Sequence, residues 1–353
     1  MVAYTWPEIT TKVINREDLT VDETAWAMDM VMSGQTSPVS LAGFLTALAT
    51  KGETTDELLG LADSMQAHAA PVNLTSDSLD IVGTGGDRLR TVNISTTASI
   101  IIAAAGIKVV KHGNRASSSK SGSADCLEAL GVDLDLKIAS VEKIFDDIGI
   151  TFLFANLFHP SMKYAATARR ELGVATAFNV LGPLTNPARP TAGAIGVSNK
   201  YHAPLVAGVL AKRDNRALVF RGVNGLDELS TVSGNEVWEV RNGQIDYYEM
   251  DATADLGLPA ATIDDLRGQD ATYNAAIARR VIDGEKGPVR DSVNLNAAGA
   301  IVADGRLEGV RPIDGTFVER MRHGLAIAEE TVDSGRAADL LTRWIELSNR
   351  ESR

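Results

Sequence analysis

Short apolar segments alternate with helical patterns between residues 79 and 221, and this alternation most strongly constrains the fold. Strands are predicted at Leu79–Val82, Lys108–Lys111, Thr151–Ala155, Ala192–Val197 and Ala217–Arg221. Helices are predicted between them, at about Ser95–Ala105, Gly122–Leu130, Val141–Ile148, Met162–Leu172 and His202–Ala211. A hairpin is predicted around Asn242-Gly243, and the C-terminal helices at Asp314–Asp333 and Ser334–Leu347. The pattern is typical of an α/β fold with a central mixed, largely parallel sheet.

The N-terminal region has a different pattern, with strong helix-start signals. Thr20-Val-Asp-Glu23 and Thr54-Thr-Asp-Glu57 both have the spacing of a capping box, in which a hydroxyl and a carboxylate satisfy unpaired N–H groups. We therefore predict a small helical domain over residues 1–74, joined by part of 160–190. The larger α/β domain is predicted over residues 75–353.

The composition excludes several classes of function. The 353 residues are 44% hydrophobic and 23% charged, as in an ordinary globular protein with a sizeable core. The net charge of −12 argues against general nucleic-acid or anionic-membrane binding. No apolar run approaches the ~20 residues of a membrane span, and the N-terminus lacks the features of a signal peptide. The single cysteine, Cys126, excludes an internal disulfide, so we expect a cytoplasmic protein in which this thiol is structural.

A glycine-rich segment follows the first predicted strand. Asp80-Ile-Val-Gly-Thr-Gly-Gly-Asp87 contains three glycines, and Thr91-Val-Asn-Ile-Ser-Thr-Thr97 adds hydroxyl and amide side chains before an apolar helix. Glycines let backbone N–H groups close around an anion, and a helix N-terminus contributes partial positive charge. The segment predicts a site for a phosphorylated small molecule. From the glycines alone, an ordinary tight turn is an equal alternative.

Two familiar phosphate-binding motifs are excluded at this segment. A P-loop requires Gly-Lys-Ser/Thr, whereas Gly86 is followed by Asp87 and Arg88. A dinucleotide fingerprint requires a glycine or alanine at the position of Arg88, and an acidic residue about 20 positions later, where this chain is apolar. A carboxylate such as Asp87 beside a phosphate needs a hydroxyl, a metal or a cation between them.

A second polar segment follows the next predicted strand. Lys111-His-Gly-Asn-Arg115 places several donors at the carboxyl end of that strand, where open α/β sheets bind ligands. The serine-rich segment Ser117–Ser123 leads from it into a helix and can order over a polyanion. Taken alone, the segment slightly favours a solvated basic turn, but its recurrence after a second strand favours a binding role.

Adjacent carboxylates mark a third segment. Asp227 and Glu228 lie in the loop Asn224–Ser230, after the strand that ends at Arg221. Magnesium in proteins is commonly held by one or two carboxylates together with water and ligand phosphate. A surface acidic turn is the more common explanation when the pair is considered alone.

Paired arginines mark a fourth segment. Arg169 and Arg170 lie near the end of a predicted helix, before a segment rich in glycine, proline and asparagine. An arginine facing a cleft suits a carboxylate, and neighbours on a helix are about 100° apart, so at most one of them faces a given ligand. His159-Pro160 is predicted to open this helix and to line the cleft. A plain helix-start histidine is an equal alternative.

In their order and spacing, these four segments closely resemble the anthranilate phosphoribosyltransferase family, over essentially the full length of the chain. The resemblance implies transfer of phosphoribose from phosphoribosyl pyrophosphate to the amine of anthranilate, in tryptophan biosynthesis. It also implies two Mg²⁺ ions, a helical domain that forms the contact of a homodimer, and a larger α/β domain. Small-molecule substrates are the expected partners, with no nucleic acid and no membrane.

The same resemblance assigns residues to each ligand. Those implied to bind phosphoribosyl pyrophosphate are Gly83, Gly86, Asp87, Thr91, Asn93, Ile94, Ser95, Thr96, Lys111, His112, Gly113, Asn114, Arg115, Ala116, Ser117, Ser118, Ser119 and Ser123. Those implied to bind anthranilate or line its path are Gly83, Asn114, Arg169, His112, His159 and Pro183. The implied metal ligands are Ser95 for one ion and Asp227 with Glu228 for the other.

The chemistry of the chain agrees with this assignment. A neutral aromatic amine is already nucleophilic, so no general base is assigned, and the chain has no evident Ser-His-Asp or Cys-His set. Orientation and electrostatic stabilisation of an oxocarbenium-like transition state are expected instead. One alternative is a pyrimidine-nucleoside phosphorylase of the same architecture. A second is a non-catalytic or nucleic-acid-binding relative, which should have a basic groove and a damaged metal site.

Overall fold

The computed structural model describes residues 4–116 and 120–352. Its helices, in chain order, are α1 (Trp6–Ile14), α2 (Val21–Met32), α3 (Pro38–Lys51), α4 (Thr55–Ala67), α5 (Ile94–Ala104), α6 (Ser123–Leu130), α7 (Ile138–Ile148), α8 (Ala155–Phe158), α9 (Lys163–Leu172), α10 (Phe178–Leu181), α11 (His202–Lys212), α12 (Ala252–Leu256), α13 (Ala271–Ile282), α14 (Pro288–Asp304), α15 (Phe317–Asp333) and α16 (Arg336–Glu351). Short 3₁₀ turns lie at Pro160–Met162, Gly182–Leu184, Ile263–Leu266 and Pro312–Asp314. The strands are β1 (Leu79–Gly83), β2 (Val109–Gly113), β3 (Ile150–Phe154), β4 (Ala192–Gly196), β5 (Arg216–Gly222), β6 (Asn235–Arg241) and β7 (Gln244–Met250). Among the helices of the described ranges, none is long and apolar enough to cross a membrane.

The chain divides into two compact units. Unit 1 joins Met1–Pro71 to Ala155–Pro187 and is helical, with α1–α4 and α8–α10. Unit 2 joins Val72–Phe154 to Ala188–Arg353 and contains the sheet with its flanking helices. The predicted fold class, a helical domain with a larger α/β domain, is confirmed.

Unit 1 is built from helices whose first turns are capped as the sequence predicts. The hydroxyl of Thr20 accepts from the backbone N–H of Glu23, whose carboxylate accepts from Thr20 N at 2.9 Å. Thr54 and Glu57 form the same reciprocal pair. Each box satisfies N–H groups that a helix start leaves unpaired, at a typical gain of about 1 kcal/mol.

The core of unit 1 is completed by its second segment. Phe178 and Leu181, from α10, line an apolar cavity of about 10 Å³ together with Leu41 and Phe44 of α3. All four of these side chains are buried. A cavity of this size is little more than a packing defect, so the apolar faces of both segments are closely fitted.

The sheet of unit 2 has the strand order β3-β2-β1-β4-β5-β6-β7. Its strands from β3 to β5 are parallel, and β6 and β7 are antiparallel. The predicted hairpin is confirmed, with positive φ at Asn242 (49°) and Gly243 (71°) in its turn. Because the chain adds β2 and β3 on one side of β1 and β4 on the other, the switch point lies between β1 and β4.

Several predicted boundaries are wrong by a few residues, each for a local reason. The third strand ends at Phe154 because Ala155 already begins α8. His159-Pro160 opens a 3₁₀ turn, and the helix that carries Arg169 begins only at Lys163. The helix predicted from Asp314 begins at Phe317, since Thr316 is its N-cap and forms a capping box with Glu319.

Candidate active site

The carboxyl ends of neighbouring parallel strands form the floor of the candidate site. Strands β1, β2, β4 and β5 each end in a glycine, at Gly83, Gly113, Gly196 and Gly222. A methyl group on Gly83 would lie 2.3 Å from Asp227 Oδ2, and one on Gly196 would lie 1.7 Å from the Asp227 carbonyl oxygen. Glycine is therefore required at these two positions, because the acidic loop rests directly on the strand ends.

The acidic pair is anchored to the glycine-rich segment and to the start of α5. Gly85 N donates to Asp227 Oδ2 at 2.6 Å, and Ser95 N donates to Glu228 Oε1 at 3.2 Å. Ser95 lies in the first turn of α5, where unpaired N–H groups favour negative charge. Three segments that are distant in sequence thus meet at one edge of the sheet.

Lys111, in β2, places a buried ammonium group beside the carboxyl end of β1 and the start of α5. Its side chain is only 1% exposed, and Nζ donates to the Ile81 carbonyl oxygen at 2.6 Å and to Ser95 Oγ at 3.5 Å. Burial lowers the pKa of Lys111, while the charges of Asp80 and Glu228 act in the opposite direction. A cation here offsets part of the negative charge of the acidic pair.

The carboxylates of Asp227 and Glu228 are held in an unfavourable state. Both are buried, at 8% and 9% exposure. Burial raises the pKa of Asp227, and the charge of Asp87 raises it further. Burial also raises the pKa of Glu228, with a further contribution from Asp227. Close, desolvated carboxylates of this kind favour either a bound proton or a bound cation.

The donor set fits Mg²⁺ only if a ligand completes it. In residues 4–116 and 120–352 no cluster of three or more histidine, cysteine, aspartate or glutamate side chains is arranged to hold a metal. What the site offers is an acidic pair and the hydroxyl of Ser95, together with backbone N–H groups. Magnesium usually takes few protein ligands and completes its shell with water and phosphate oxygens. The arrangement therefore suits a metal that arrives with a phosphorylated substrate.

The predicted loop after β2 is tied down at both ends by one side chain. Asp125 Oδ2 accepts from Ala116 N at 2.9 Å and from Gly122 N at 2.8 Å. Arg115, predicted to bind the substrate, pairs here with Glu128 and Asp125 and stacks over the ring of Phe154. The predicted residues Ser117, Ser118 and Ser119 lie outside the described residues.

The other predicted residues of unit 2 lie around the same strand ends. His112 is buried in β2, and its backbone N–H donates to Asp80 Oδ1 at 3.1 Å. The Asn114 carbonyl accepts from Ser123 Oγ at 3.2 Å. The remaining predicted residues belong to the glycine-rich segment, to the first turn of α5 and to the end of β2: Gly86, Asp87, Thr91, Asn93, Ile94, Thr96 and Gly113.

The residues predicted to receive anthranilate are divided between the units. Gly83, His112 and Asn114 belong to unit 2 and are described above, whereas the rest lie in unit 1. The Arg169 guanidinium lies 5.0 Å from the ring centroid of Phe178, within cation–π range. His159 Nε2 lies 3.0 Å from the Thr185 carbonyl oxygen, and burial lowers its pKa.

Pro183 belongs to the 3₁₀ turn that precedes Thr185 in unit 1. Cys126 lies within α6 of unit 2 and is fully buried, which raises the pKa of its thiol to about 12. A thiol with that pKa stays protonated and unreactive, in agreement with the predicted structural role.

Sequence reasoning missed two residues that support the site. Asp80 is a buried carboxylate in β1 that accepts from His112 N and faces the charge of Lys111. A charged residue inside an apolar strand was the available signal. Asn274 of α13 bonds to Asn93, and nothing in the surrounding helical pattern distinguishes it.

Comparison with known proteins places the chain in one family. A glycosyl transferase family α/β domain model matches residues 75–338, and the helical bundle domain model of that family matches 7–69. The chain is 57% identical over 345 residues to an anthranilate phosphoribosyltransferase of Arthrobacter sp. (strain FB24), covering 98% of this chain and 96% of the relative.

Solved structures agree with the sequence comparison. The crystal structure of the Thermus thermophilus anthranilate phosphoribosyltransferase has a TM-score of 0.88 at 40% identity, covering 97% of this chain and 99% of that one. The Saccharomyces cerevisiae enzyme in complex with phosphoribosyl pyrophosphate and Mg has a TM-score of 0.86 at 27% identity, covering 98% of both chains. The chain therefore belongs to the anthranilate phosphoribosyltransferase family of glycosyltransferases.

Proposed function

We propose that this enzyme transfers the phosphoribosyl group of phosphoribosyl pyrophosphate to the amine of anthranilate, as a step of tryptophan biosynthesis. A bond forms between the amine nitrogen and C1 of the ribose, the bond from C1 to the pyrophosphate oxygen breaks, and the amine releases a proton. The observation that carries the proposal is the meeting of the glycine-rich segment, the start of α5 and the acidic pair at one sheet edge. Such an arrangement suits a metal-bound pyrophosphate leaving group.

For phosphoribosyl pyrophosphate, we propose that Gly83, Gly86 and Asp87 of the glycine-rich segment bind its phosphates together with the start of α5. Side chains from Thr91 to Thr96, with the segment from Lys111 to Ser123, complete this binding site. Lys111 contributes positive charge from below, since its Nζ lies within 3.5 Å of Ser95 Oγ. Donors and charge fixed in advance stabilise a developing anion without reorganisation.

We propose that Mg²⁺ binds here as two ions, one at Ser95 and the other at Asp227 with Glu228. When bound, Mg²⁺ would neutralise charge on the departing pyrophosphate. The two carboxylates support this assignment because they are buried and adjacent, so that a cation relieves their repulsion. Gly85 holds Asp227 in place through the bond from its backbone N–H.

For anthranilate, we propose that Arg169 binds the carboxylate and that Gly83 and Asn114 contact the ring and amine. His112, His159 and Pro183 would line the path of entry. The cation–π contact between Arg169 and Phe178 supports this role, because it fixes a guanidinium that can then present two N–H groups together.

We also propose that the enzyme is a cytoplasmic homodimer whose contact is formed by the helical domain, residues 1–74 with part of 160–190, while 75–353 form the substrate domain. Ile14 and Val39, on α1 and α3 of this domain, are 66% and 82% exposed, so their apolar side chains are available for such a contact. Light scattering of Val39→Glu beside the unchanged protein tests the dimer contact.

Anthranilate fluorescence provides the direct test of the reaction. We expect its loss only when enzyme, phosphoribosyl pyrophosphate and Mg²⁺ are all present, and EDTA should prevent the loss. Persistent fluorescence with folded protein would contradict the proposed substrate. Phosphorolysis of thymidine or uridine in the same preparation would instead identify a nucleoside phosphorylase.

A further inference from the structure

Asn93 occupies the N-cap position of α5 but does not cap the helix with its side chain. Its Oδ1 instead accepts two hydrogen bonds, from Asn274 Nδ2 at 2.9 Å and from Ser121 Oγ at 3.0 Å. Asparagine is a strong N-cap residue, so this side chain forgoes the capping hydrogen bond that its type commonly makes. The Asn93 side chain is fixed instead by hydrogen bonds to two residues outside α5.

A backbone group fixes which way these amides point. Gln269 N donates to Asn274 Oδ1 at 2.8 Å, and a backbone N–H can only donate. The amide of Asn274, which is 2% exposed, must therefore turn its Nδ2 toward Asn93. Asn93 in turn must present its oxygen to Asn274, and the reverse orientation would place two N–H groups against each other.

This orientation leaves the donor end of Asn93 for a ligand. Both lone pairs of Oδ1 are used by Asn274 and Ser121, while Nδ2 has two hydrogens and donates one to the Ser121 carbonyl at 3.3 Å. The second N–H is suited to a phosphate or ribose oxygen, because a phosphate oxygen only accepts. A flipped amide would present an oxygen to that anion and repel it.

Asn274 also stabilises the backbone segment that precedes Asn93. Asn274 holds Gln269, and the segment before it pairs with the residues before Asn93. Val92 N donates to the Leu266 carbonyl at 2.9 Å, and Gly268 N donates to the Arg90 carbonyl at 2.7 Å. A methyl group on Gly268 would lie 2.6 Å from the Thr91 carbonyl oxygen, so the two segments are in close contact.

We propose that Asn274 is a positioning residue for phosphoribosyl pyrophosphate, which fixes the amide of Asn93 with its N–H toward the substrate. This inference rests on the proposed function, since it assigns a support to the same binding site. We assign Asn274 no contact with the substrate itself. It acts through one hydrogen bond to Asn93 and one from Gln269.

Calorimetric binding of phosphoribosyl pyrophosphate with Mg²⁺ tests the role directly. We expect Asn274→Ala to raise the Kd about 10-fold, the effect of one part-buried hydrogen bond, with an unchanged KM for anthranilate. Ser121→Ala removes the other donor to Asn93 Oδ1. Because a hydroxyl can donate or accept, Ser121 does not fix the direction of the amide, and Ser121→Ala should raise the Kd less than Asn274→Ala does.

The matched control is Asn215→Ala, which removes an amide donor to the Pro190 carbonyl at the opposite, amino end of β5. It should lower Tm without changing the Kd. A folded Asn274→Ala protein with the Kd of the unchanged enzyme would overturn the inference. If the unchanged enzyme itself failed to bind phosphoribosyl pyrophosphate, the proposed function would fall first.

Asn274→Asp tests the same point if the alanine variant does not fold, because it keeps the acceptor for Gln269 N. At about pH 8 the introduced carboxylate has no donor for Asn93, whereas at about pH 6 the acid form regains one if burial raises its pKa. Weak binding at the higher pH that recovers at the lower one supports the role. Binding equal to that of the unchanged enzyme at both values overturns it.

Discussion

Gly85 donates its backbone N–H to Oδ2 of Asp227 at 2.6 Å, across 142 positions of sequence. The bond joins the glycine-rich segment, which is proposed to bind phosphate, to the carboxylates proposed to bind metal. A carboxylate held in this way keeps its other oxygen oriented before any ligand arrives. Replacing Asp227 by asparagine should therefore reduce metal-dependent catalysis while the protein still folds.

We expect Asp227→Asn to lower kcat/KM by about 100-fold, because a neutral amide is a poor ligand for Mg²⁺ and weakens stabilisation of the leaving pyrophosphate. The anthranilate fluorescence assay measures the loss. Asp214→Asn is the matched control, in an exposed turn with φ of 54° before β5, where asparagine is well tolerated. Unchanged activity of Asp227→Asn would contradict the metal assignment.

The metal-free enzyme should lose stability as the pH rises. Because the folded state raises the pKa of both Asp227 and Glu228, it binds their protons more tightly than the unfolded chain does. Their contribution to stability is thus complete below the pKa values of the unfolded chain, which are about 4. It is lost as the pH rises through the higher pKa values of the folded state. Tm measured against pH in EDTA should decline over this window.

Two comparisons check the origin of that decline. Added Mg²⁺ should reduce the slope, since a bound cation offsets the repulsion that protons would otherwise relieve. Asp227→Asn should reduce the slope of Tm against pH even without metal, and it should raise Tm at neutral pH. A slope that neither change affects would assign the pH dependence to other groups.

Gly83→Ala should damage both stability and activity. Its methyl group would lie 2.3 Å from Asp227 Oδ2, so the acidic loop must move, at a typical cost of about 1–3 kcal/mol. Gly193→Ala, in the neighbouring strand β4, is the control, because its nearest contact would be an ordinary 3.7 Å to Ile195. Urea unfolding and the fluorescence assay should distinguish the two variants. Equal behaviour would show that a side chain at position 83 does not displace the acidic loop.

Arg169→Ala should raise the KM for anthranilate about 10-fold or more, with an unchanged Kd for phosphoribosyl pyrophosphate, because it removes the proposed carboxylate partner. Arg169→Lys should recover little of this loss, since an ammonium group cannot form the paired hydrogen bonds of a guanidinium. Arg170→Ala should behave like the unchanged enzyme, as its side chain lies about 100° away around α9. An unaltered KM in Arg169→Ala would exclude the proposed role.

Features that depend on neighbours in sequence were predictable. The capping box at Thr20, the hairpin turn at Asn242-Gly243 and the alternation of strands and helices are all local signals. The tendency of ligand sites to lie at the carboxyl ends of parallel strands also predicts Lys111 near the glycine-rich segment, and its Nζ donates to the Ile81 carbonyl oxygen. Thr316 and Glu319 carry an equally clear cap signal, which the prediction from Asp314 overlooks.

Features that depend on contacts across the chain were not predictable. Asn274 meets Asn93 from 181 positions away, and a polar residue in a helix is ordinarily a solvated one. The pairing of Arg115 with Glu128 likewise follows from how α6 packs beside the end of β2. Side-chain direction of this kind is decided by packing, which residue type and spacing do not specify.

The order in which the chain is made bears on how unit 1 can form. Its core needs Phe178 and Leu181 beside Leu41 and Phe44, yet the ribosome synthesises β1, β2 and β3 in between. The faces of α2, α3 and α4 that α10 covers must therefore stay uncovered until α10 has left the exit tunnel. Truncation at Pro71 would leave those faces uncovered permanently, so the N-terminal segment should be a poor independent fragment and a natural client for chaperones during synthesis.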